Sequence, residues 1–347
     1  MTQGSGRSWA RRALLGCLLI VIVGAIGAGT HWTELRIRYA AYKLQTVITD
    51  EDRSEWASVL VHCGEPGWQR LAKFVQTSDP ATQAAAVAAF DHYLKELPNG
   101  DPQAVARIEQ LLDAFVTADE TGRGAILELL PDLVKRGGVA SAVKCRDVVA
   151  AGLQMSSARS RIASIRAAIH PHIRLREAIL PLLHATEPEV RRMALFAVGP
   201  ASDDDPVISD EELFSWLHDS DADVRQVCFD ALMSRGRSES EIDLGRRLTD
   251  PSAAVRLKLL LDLREDVEIA DPEPWLERLS HDSEPGIRAG AARVAAEIAS
   301  SRHLNITIWV NRLADADPEP SVRRIAQLYQ SSPPASVDPA TRQIGGP

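Results

Sequence analysis

The sequence predicts an all-α fold, an α-solenoid of about eight helical hairpins preceded by one N-terminal transmembrane helix. Three observations support this prediction. A motif that joins two short helices recurs at a nearly constant spacing, the composition favours helices, and an uncharged stretch of 21 residues lies near the N-terminus. A period of roughly 20 to 50 residues with one helical hairpin per repeat is typical of stacked solenoids.

The motif is clearest over Leu248-Thr-Asp-Pro-Ser-Ala-Ala-Val-Arg256 and the Leu-rich run that follows it. Asp is a favourable N-cap and Pro suits the first helical position, so a helix is expected to begin at Asp250 and Pro251. Leu244 lies four residues before Leu248, which indicates that another helix ends there. The stretch therefore predicts a tight turn between two helices, with Leu260 facing the interior.

The same turn recurs along the second half of the chain, and each copy carries an arginine. These arginines are 34, 31, 32 and 35 residues apart, at Arg191, Arg225, Arg256, Arg288 and Arg323. Because one hairpin accompanies each copy, the spacing predicts a linear stack in which a hairpin contacts only its neighbours.

The first half of the chain carries weaker copies of the turn. Asp79-Pro80 leads to a helix expected over residues 84–94, and Asp101-Pro102 reads as an N-cap followed by the first helical residue. Further helices are expected over residues 123–133 and 161–169. Gly137-Gly138 and Gly199-Pro200 are each expected to interrupt the helical structure between two hairpins. The predicted repeat domain covers residues 54–330, and the Pro-, Ser- and Gly-rich residues 331–347 are expected to form a disordered tail.

The composition is that of a close-packed helical protein. Of 347 residues, 45% are hydrophobic and only 5% are aromatic, which suits packed helices better than sheets. The formal net charge of −9 argues against general nucleic-acid binding. The four cysteines have no metal-ligand spacing, and the three in the repeats are too far apart along a stack to form disulfides.

The N-terminus predicts a membrane anchor. Residues 1–12 form a basic tail, 13–33 are uncharged and long enough to cross a bilayer as a helix, and 34–53 are expected to continue as a membrane-proximal helix. Trp32 lies where an interfacial aromatic residue belongs. The alternative is a cleaved signal peptide ending near Gly27-Ala28-Gly29.

The orientation of this anchor rests on the short basic tail. Arg7, Arg11 and Arg12 precede the apolar stretch, and Arg36, Arg38 and Lys43 follow it, which is nearly a tie under the positive-inside rule. The short tail favours an N-terminus inside the cell. We therefore expect a single-pass protein of the bacterial inner membrane with its C-terminal domain exported.

The pattern Leu-x-x-Asp-Pro-x-x-x-Val-Arg, followed by an Ala- and Leu-rich helix, resembles a HEAT repeat. The short period is similar to that of bacterial HEAT-like repeats first described in phycobilin lyases. The resemblance is good over residues 179–330 and weaker over 54–178. HEAT families mostly bind other proteins, so the resemblance implies a protein-interaction scaffold that is not an enzyme and holds no cofactor.

Two other functions are alternatives to the scaffold. One is an enzyme or enzyme accessory of the lyase-like kind, which would retain a pigment or another cofactor. The other is a binder of anionic lipid or nucleic acid, which would act through a basic region and show steep salt dependence. The expected partners are the membrane and a protein with an acidic surface. No small-molecule substrate is evident, and the negative net charge argues against nucleic acid as a partner.

The HEAT resemblance also implies a structural role for the repeated arginines. In such arrays this Arg pairs with the turn Asp of its own or a neighbouring repeat. Four turn carboxylates precede their arginines by six residues, at Asp219, Asp250, Asp282 and Asp317. A ladder of ion pairs is therefore expected at these positions, in preference to an anion-binding site.

A basic region departs from the acidic background of the chain. Residues 135–176 hold nine basic residues and one acid, whereas 36 basic and 48 acidic residues follow Thr33 in total. We predict a partner-binding surface within this region, at Arg159, Arg161, Arg166, Arg174 and Arg176. Arg159 and Arg166 are seven residues apart and share a face of a continuous helix. The competing interpretation is that these side chains pair with acidic neighbours in the stack.

The remaining candidate sites are interpreted as turns and caps. His170-Pro-His172 lacks a third metal ligand and predicts a kink or turn. Asp203-Asp-Asp205 lacks the alternating ligands of a calcium loop. Ser209 with Glu212 forms a predicted capping box at the start of a helix. No arrangement typical of a catalytic site or a metal site is recognisable in the sequence.

Overall fold

The structure is a computed structural model that describes residues 32–77, 79–201, 206–265, 269 and 271–330. Within these residues all regular secondary structure is helical, which confirms the all-α prediction. Contacts divide the chain into two compact units, residues 1–197 and 198–347.

In the first unit helices alternate with short turns. They are α1 (32–46), α2 (Asp50–Val61), α3 (Glu65–Thr77), α4 (Pro80–Glu96), α5 (Pro102–Thr117), α6 (Glu120–Leu153), α7 (Ala158–Ala168), a 3-10 helix (Glu177–His184) and α8 (Pro188–Val198), which ends at the boundary between the units. The end of α8 at Val198 agrees with the break predicted at Gly199-Pro200.

The second unit contains four antiparallel helix pairs within its described residues. They are α9 (Asp210–Trp216) with α10 (Ala222–Ser234), α11 (Glu239–Leu248) with α12 (Ala253–Glu265), α13 (Glu273–Leu279) with α14 (Pro285–Arg302), and α15 (Thr307–Ala316) with α16 (Pro320–Gln330). Leu260 of α12 is buried, as predicted, and lies beside Leu259 and Leu263 in the core.

The helix starts predicted at Asp101 and Ser209 are confirmed, and the start predicted at Asp250 is displaced. Asp79 and Asp101 are the N-caps of α4 and α5, and a Pro follows each at the first helical position. The prediction for Asp250 is wrong by two residues, since α12 begins at Ala253. The Asp250 carboxylate instead accepts a hydrogen bond from the Ser252 amide at 2.8 Å. Asp250 therefore closes the turn, and the residue two positions later caps the helix.

The break predicted at Gly137-Gly138 is wrong, because α6 runs through both residues and through Pro131. Glycine at 137 permits close packing, since a Cβ there would lie 3.3 Å from Ile108 Cδ1 of α5. A Cβ on Gly152 would lie 2.1 Å from Ser164 Oγ of α7. Tertiary packing against α5 and α7 stabilises a helix whose local sequence would favour interruption.

The membrane-proximal helix predicted over 34–53 is divided in the structure. Helix α1 ends at residue 46, and Thr49 caps α2 through a hydrogen bond from the Asp52 amide. The domain boundary predicted at residue 54 therefore falls inside helix α2 and does not coincide with a turn. The predicted anchor, apart from its last two residues, and the predicted tail at 331–347 lie outside the described residues. No helix in the described part of the chain is long and apolar enough to span a membrane.

One contact in the second unit skips a hairpin. The rings of Phe214 in α9 and Trp275 in α13 lie 6.0 Å apart, and Arg278 Nε lies 2.6 Å from a carboxylate oxygen of Glu211. Helix α11 lies between these hairpins in sequence, and a Cβ on its Gly245 would lie 2.3 Å from the Phe214 ring. The prediction that a hairpin contacts only its neighbours is thus wrong here, because this glycine leaves space for the ring.

Candidate binding surfaces

The repeated arginines form a ladder along the helix-pair turns. Arg256 donates from Nη1 to the carbonyl of Asp250 at 2.7 Å, so it holds the turn of its own repeat. Its Nε and Nη2 donate to the two carboxylate oxygens of Asp282, at 2.7 and 3.0 Å, in the next repeat. One planar guanidinium thus joins two consecutive turns by charge-assisted hydrogen bonds.

The same geometry recurs one repeat later. Arg288 donates to the Asp282 carbonyl at 2.8 Å and to both oxygens of Asp317 at 2.8 and 2.9 Å. The Asp317 side chain is 3% exposed. The hydrogen bond from Arg288 lowers the pKa of Asp317, and the same bond raises the pKa of Arg288. The predicted pairing of arginine with turn Asp is confirmed for these two rungs.

The ladder also reaches into the first unit, where the equivalent residue lies four positions after the helix N-cap. Gln83, four after the N-cap Asp79, donates from Nε2 to both carboxylate oxygens of Asp119 at 2.9 and 3.0 Å. Arg161, four after the N-cap Ser157, binds the Ser156 carbonyl and a carboxylate oxygen of Glu187 at 2.8 Å. The side chain of Arg161 is 13% exposed. Arg161 is therefore a structural rung, which corrects its assignment to the partner-binding surface.

The other residues of the predicted basic surface occupy different positions. Arg159 and Arg166 lie on α7, both exposed and on one face as predicted, and Arg159 pairs with Glu128 through Nη2 at 2.8 Å. Arg174 lies in the connection after α7, where it has a positive φ of 51° and donates to the Pro171 carbonyl. Arg176 lies half-buried just before the 3-10 helix.

Two further basic residues of this region are engaged in the stack. Lys144 pairs with Asp113 of α5 at 3.0 Å, and this hydrogen bond raises the pKa of Lys144. Arg136 donates to the Leu94 carbonyl at the end of α4 at 2.7 Å. The interpretation in which basic residues pair within the stack is thus correct for part of the region, and Arg159 and Arg166 remain its exposed members on one helix face.

A groove in the first unit brings Arg159 next to acidic side chains. It has a volume of about 500 Å³ and is lined by the first turns of α4, α6 and α7. Glu120 and Glu128 of α6 face this groove together with Arg159 and the ladder residue Gln83. The surface around Arg159 is therefore of mixed charge, which the count of basic residues along the sequence did not show.

A larger groove lies in the second unit between α11 and α13. The volume of this groove is about 930 Å³. Trp275 contributes to its lining, although only 6% of the residue's surface is exposed. Arg278 lies over the Trp275 ring at 5.1 Å from the centroid, a cation–π contact. The lining also contains charged side chains of both signs: Arg237, Arg247, Glu239, Glu241, Asp243 and Asp271.

Sequence reasoning missed this second groove. The indication in the sequence is Trp275, a large aromatic residue in a chain with few aromatics. Its approach to the preceding hairpins depends on Gly245 and Phe214, which no repeat pattern connects.

A further set of arginines, also missed, fixes the opposite ends of the helices. Arg235 follows α10 and donates to the carbonyls of Gly199 and Ile208 at 2.6 and 3.0 Å. Arg302 ends α14 and donates to the Ile269 carbonyl at 3.1 Å. Burial of Asp210 is outweighed by hydrogen bonds from Arg235 and Arg237, so its pKa is lowered.

The remaining predicted turns and caps are confirmed where the structure describes them. The rings of His170 and His172 are 5.3 Å apart in a turn, and burial lowers the pKa of His170. Ser209 and Glu212 form the predicted capping box, and Asp203–Asp205 lie outside the described residues. In the described part of the chain, no group of three or more His, Cys, Asp or Glu is arranged to hold a metal ion. Burial raises the pKa of the Cys145 and Cys228 thiols to about 12.

Comparison with known proteins assigns no family to this chain. No family model matches it, and no curated protein matches it. The chain is similar to an engineered protein of known crystal structure, at 17% sequence identity, covering 85% of this chain and 98% of that one, with a TM-score of 0.27. A likeness at that score supports no statement about fold or function.

Proposed function

We propose that this chain is a non-catalytic, membrane-tethered scaffold of HEAT-like hairpins that binds another protein. The observation that carries the proposal is the groove between α11 and α13, in which charged side chains of both signs surround Trp275. Grooves of this kind are built from several repeats at once and suit an extended segment of a partner. Aromatic and arginine side chains are the residues that contribute most at protein interfaces.

The ladder supports the same proposal. A binding groove made by two hairpins keeps its shape only if the hairpins hold their relative position. Arg256 fixes consecutive turns by three hydrogen bonds of 3.0 Å or less, and Arg288 by four. Because these side chains are used for stacking, recognition falls to residues that the repeat pattern does not contain.

Site-directed photocrosslinking in cells that express the full chain tests the proposal. Benzoylphenylalanine in place of Glu239 or Asp243 places the probe in the groove, and the same probe in place of Ile308 serves as an exposed control. We expect a discrete protein adduct at both groove positions and none at Ile308. Absence of a protein adduct in the groove, or equal adducts at all three positions, would overturn the proposal.

The exposed arginines of α7 are proposed as a second contact for the partner. Their support is that Arg159 and Arg166 are exposed on one helix face, Arg159 beside a groove of about 500 Å³. The double variant Arg159→Glu, Arg166→Glu should slow association and reduce its salt dependence while the melting temperature stays unchanged. Arg161→Glu is the matched control and should lower the melting temperature, since Arg161 stabilises the stack. Unchanged association by the folded double variant would remove α7 from the interface.

A further inference from the structure

Helix α1 has two apolar faces that point in opposite directions. Ile37, Ala40, Ala41 and Leu44 are buried against the first unit. The opposite face carries four large apolar or aromatic residues that are each more than half exposed: Trp32, Leu35, Tyr39 and Tyr42. Their spacings of three, four and three residues place them in one stripe along the helix. Although Tyr39 also contacts α2, more than half of each of these four residues is left exposed by the packing of α1 on its own domain.

Charged residues border the stripe on both sides. Arg36 and Lys43 lie along one border, and Arg38, which pairs with Glu34, lies along the other. Lys43 Nζ lies 5.7 Å from the centre of the Tyr39 ring, and the Tyr39 ring meets Trp56 of α2 edge-on at 5.4 Å. The stripe with its borders is therefore aromatic at the centre and net positive at the edges.

We propose that α1 lies along the surface of a lipid bilayer, with this stripe in the headgroup layer. Trp and Tyr rings favour this layer because one end of the ring is apolar and the other polar, and Arg and Lys beside them reach anionic headgroups. The uncharged sequence of residues 13–33 leads directly into the stripe. The inference rests on the membrane tether of the proposed function and adds an orientation of the first unit against the membrane.

The charges favour lipid over a second copy of the chain. In a parallel pair of α1 helices, Arg36 and Lys43 on one border would face Arg38 of the partner helix across the stripe. Like charges at these flanking positions destabilise helix pairing. A surface of anionic headgroups places opposite charge along both borders.

The length of the stripe requires that the helix lies down. Ten residues separate Trp32 from Tyr42, a rise of roughly 15 Å along the helix axis. The headgroup region adds only about 6 Å on each side of the hydrocarbon. A helix standing upright would place Trp32 and Leu35 in that layer and Tyr42 in water, so contact at Tyr42 distinguishes the two orientations.

Photocrosslinking of the full chain in vesicles tests this orientation. The vesicles contain equal parts of phosphatidylglycerol and phosphatidylcholine, and benzoylphenylalanine replaces Leu35, Tyr42 or, as the exposed control, Ile308. We expect lipid adducts by mass spectrometry at 35 and 42 and none at 308. A lipid adduct at 35 without one at 42, a dimer adduct, no adduct at either position, or equal lipid adducts at 308 would overturn the inference.

Alkaline carbonate extraction of the same vesicles separates this inference from the tether. A chain that stays in the pellet without an adduct at position 42 retains the tether and loses the flat orientation of α1. A chain that carbonate releases, but that forms lipid adducts at 35 and 42 before extraction, loses the tether and retains the surface helix. Leu35→Glu with Tyr42→Glu should abolish any adduct that a probe at Tyr39 forms with lipid, whereas Ile308→Glu should leave it unchanged.

Discussion

The two units differ at the ladder position, which is filled by Arg161 and by the neutral Gln83 in the first unit and by Arg256 and Arg288 in the second. In the first unit the neutral amide of Gln83 donates to Asp119, whereas in the second the charged guanidiniums of Arg256 and Arg288 donate to Asp282 and Asp317. Both arrangements also bind a backbone carbonyl of the preceding chain segment, that of Val75 in α3 for Gln83 at 3.3 Å. The position thus requires a planar donor that reaches both this carbonyl and a carboxylate of the next repeat, and a positive charge is optional. Where the donor is charged, as in Arg288, the lowered pKa of its partner carboxylate depends on that donor.

Disruption of the core of the second unit should lower the free energy of unfolding more than any other change described below. Leu260→Asp places a charge among Leu259 and Leu263, so we expect the free energy of unfolding to fall by about 3–5 kcal/mol. The matched control is Leu261→Asp, since Leu261 is 48% exposed on the same helix. It should cost about 0.5 kcal/mol or less. Urea unfolding followed by tryptophan fluorescence measures both, and equal costs would contradict the placement of these side chains.

Removal of one rung in each unit tests the comparison directly. Arg288→Met leaves the Asp317 carboxylate buried without its cation and should cost about 3 kcal/mol. Each carboxylate keeps a hydrogen bond from a backbone amide, Glu319 for Asp317 and Gly122 for Asp119. Gln83→Met should therefore cost only about 1 kcal/mol, because it removes a neutral donor and no charge. The exposed Arg293, which pairs with Glu297 in the same helix, provides the control, and Arg293→Met should leave the stability nearly unchanged because solvent screens an exposed pair. If the Gln83 and Arg288 variants lost equal stability, charge at the rung would have no special role.

Glycines at close helix contacts allow the packing of the two units to be compared. Gly245→Ala brings a methyl group against the Phe214 ring, and Gly152→Ala brings one against Ser164, so each should lose about 1–3 kcal/mol. The matched control is Gly286→Ala, because nothing lies within 4 Å of a Cβ at that helical position. It should gain about 0.5–1 kcal/mol from helix propensity. A stabilising effect at Gly245 would show that α9 and α11 do not approach each other as described.

The smallest expected effect is the change with pH in the stability that the Arg288–Asp317 rung contributes. Because Arg288 lowers the pKa of Asp317, its contribution to stability is present above the ordinary Asp pKa and is lost as pH falls through the lowered value. In Arg288→Met the carboxylate is buried without its cation, which raises its pKa, so protonation relieves the penalty. The stability difference between wild type and Arg288→Met should therefore shrink as the pH is lowered. The penalty of Gly245→Ala involves no titrating group and should stay constant over the same range.

Local sequence was enough to predict the features that depend on spacing within one turn. The all-α class, the N-cap at Asp101, the capping box at Ser209 and the buried Leu260 follow from periodicity and capping chemistry. The pairing of Arg with the turn Asp was implied by the HEAT resemblance. The exact register of the turn was not, because Asp250 can serve equally as an N-cap or as the acceptor in a turn, and only the fold decides between them.

Recurrence along the chain assigns the helices, and the resemblance to HEAT repeats implies the ladder. Tertiary structure decided what happens where two helices come close. It continued α6 through Gly137 and Gly138, brought Trp275 to Phe214 across Gly245, used Arg161 in the stack and left the aromatic stripe of α1 exposed. The physical reason is that a glycine or a charge has several uses of similar free energy in isolation. Only the neighbouring helices, which lie far away in sequence, make one of those uses the most stable.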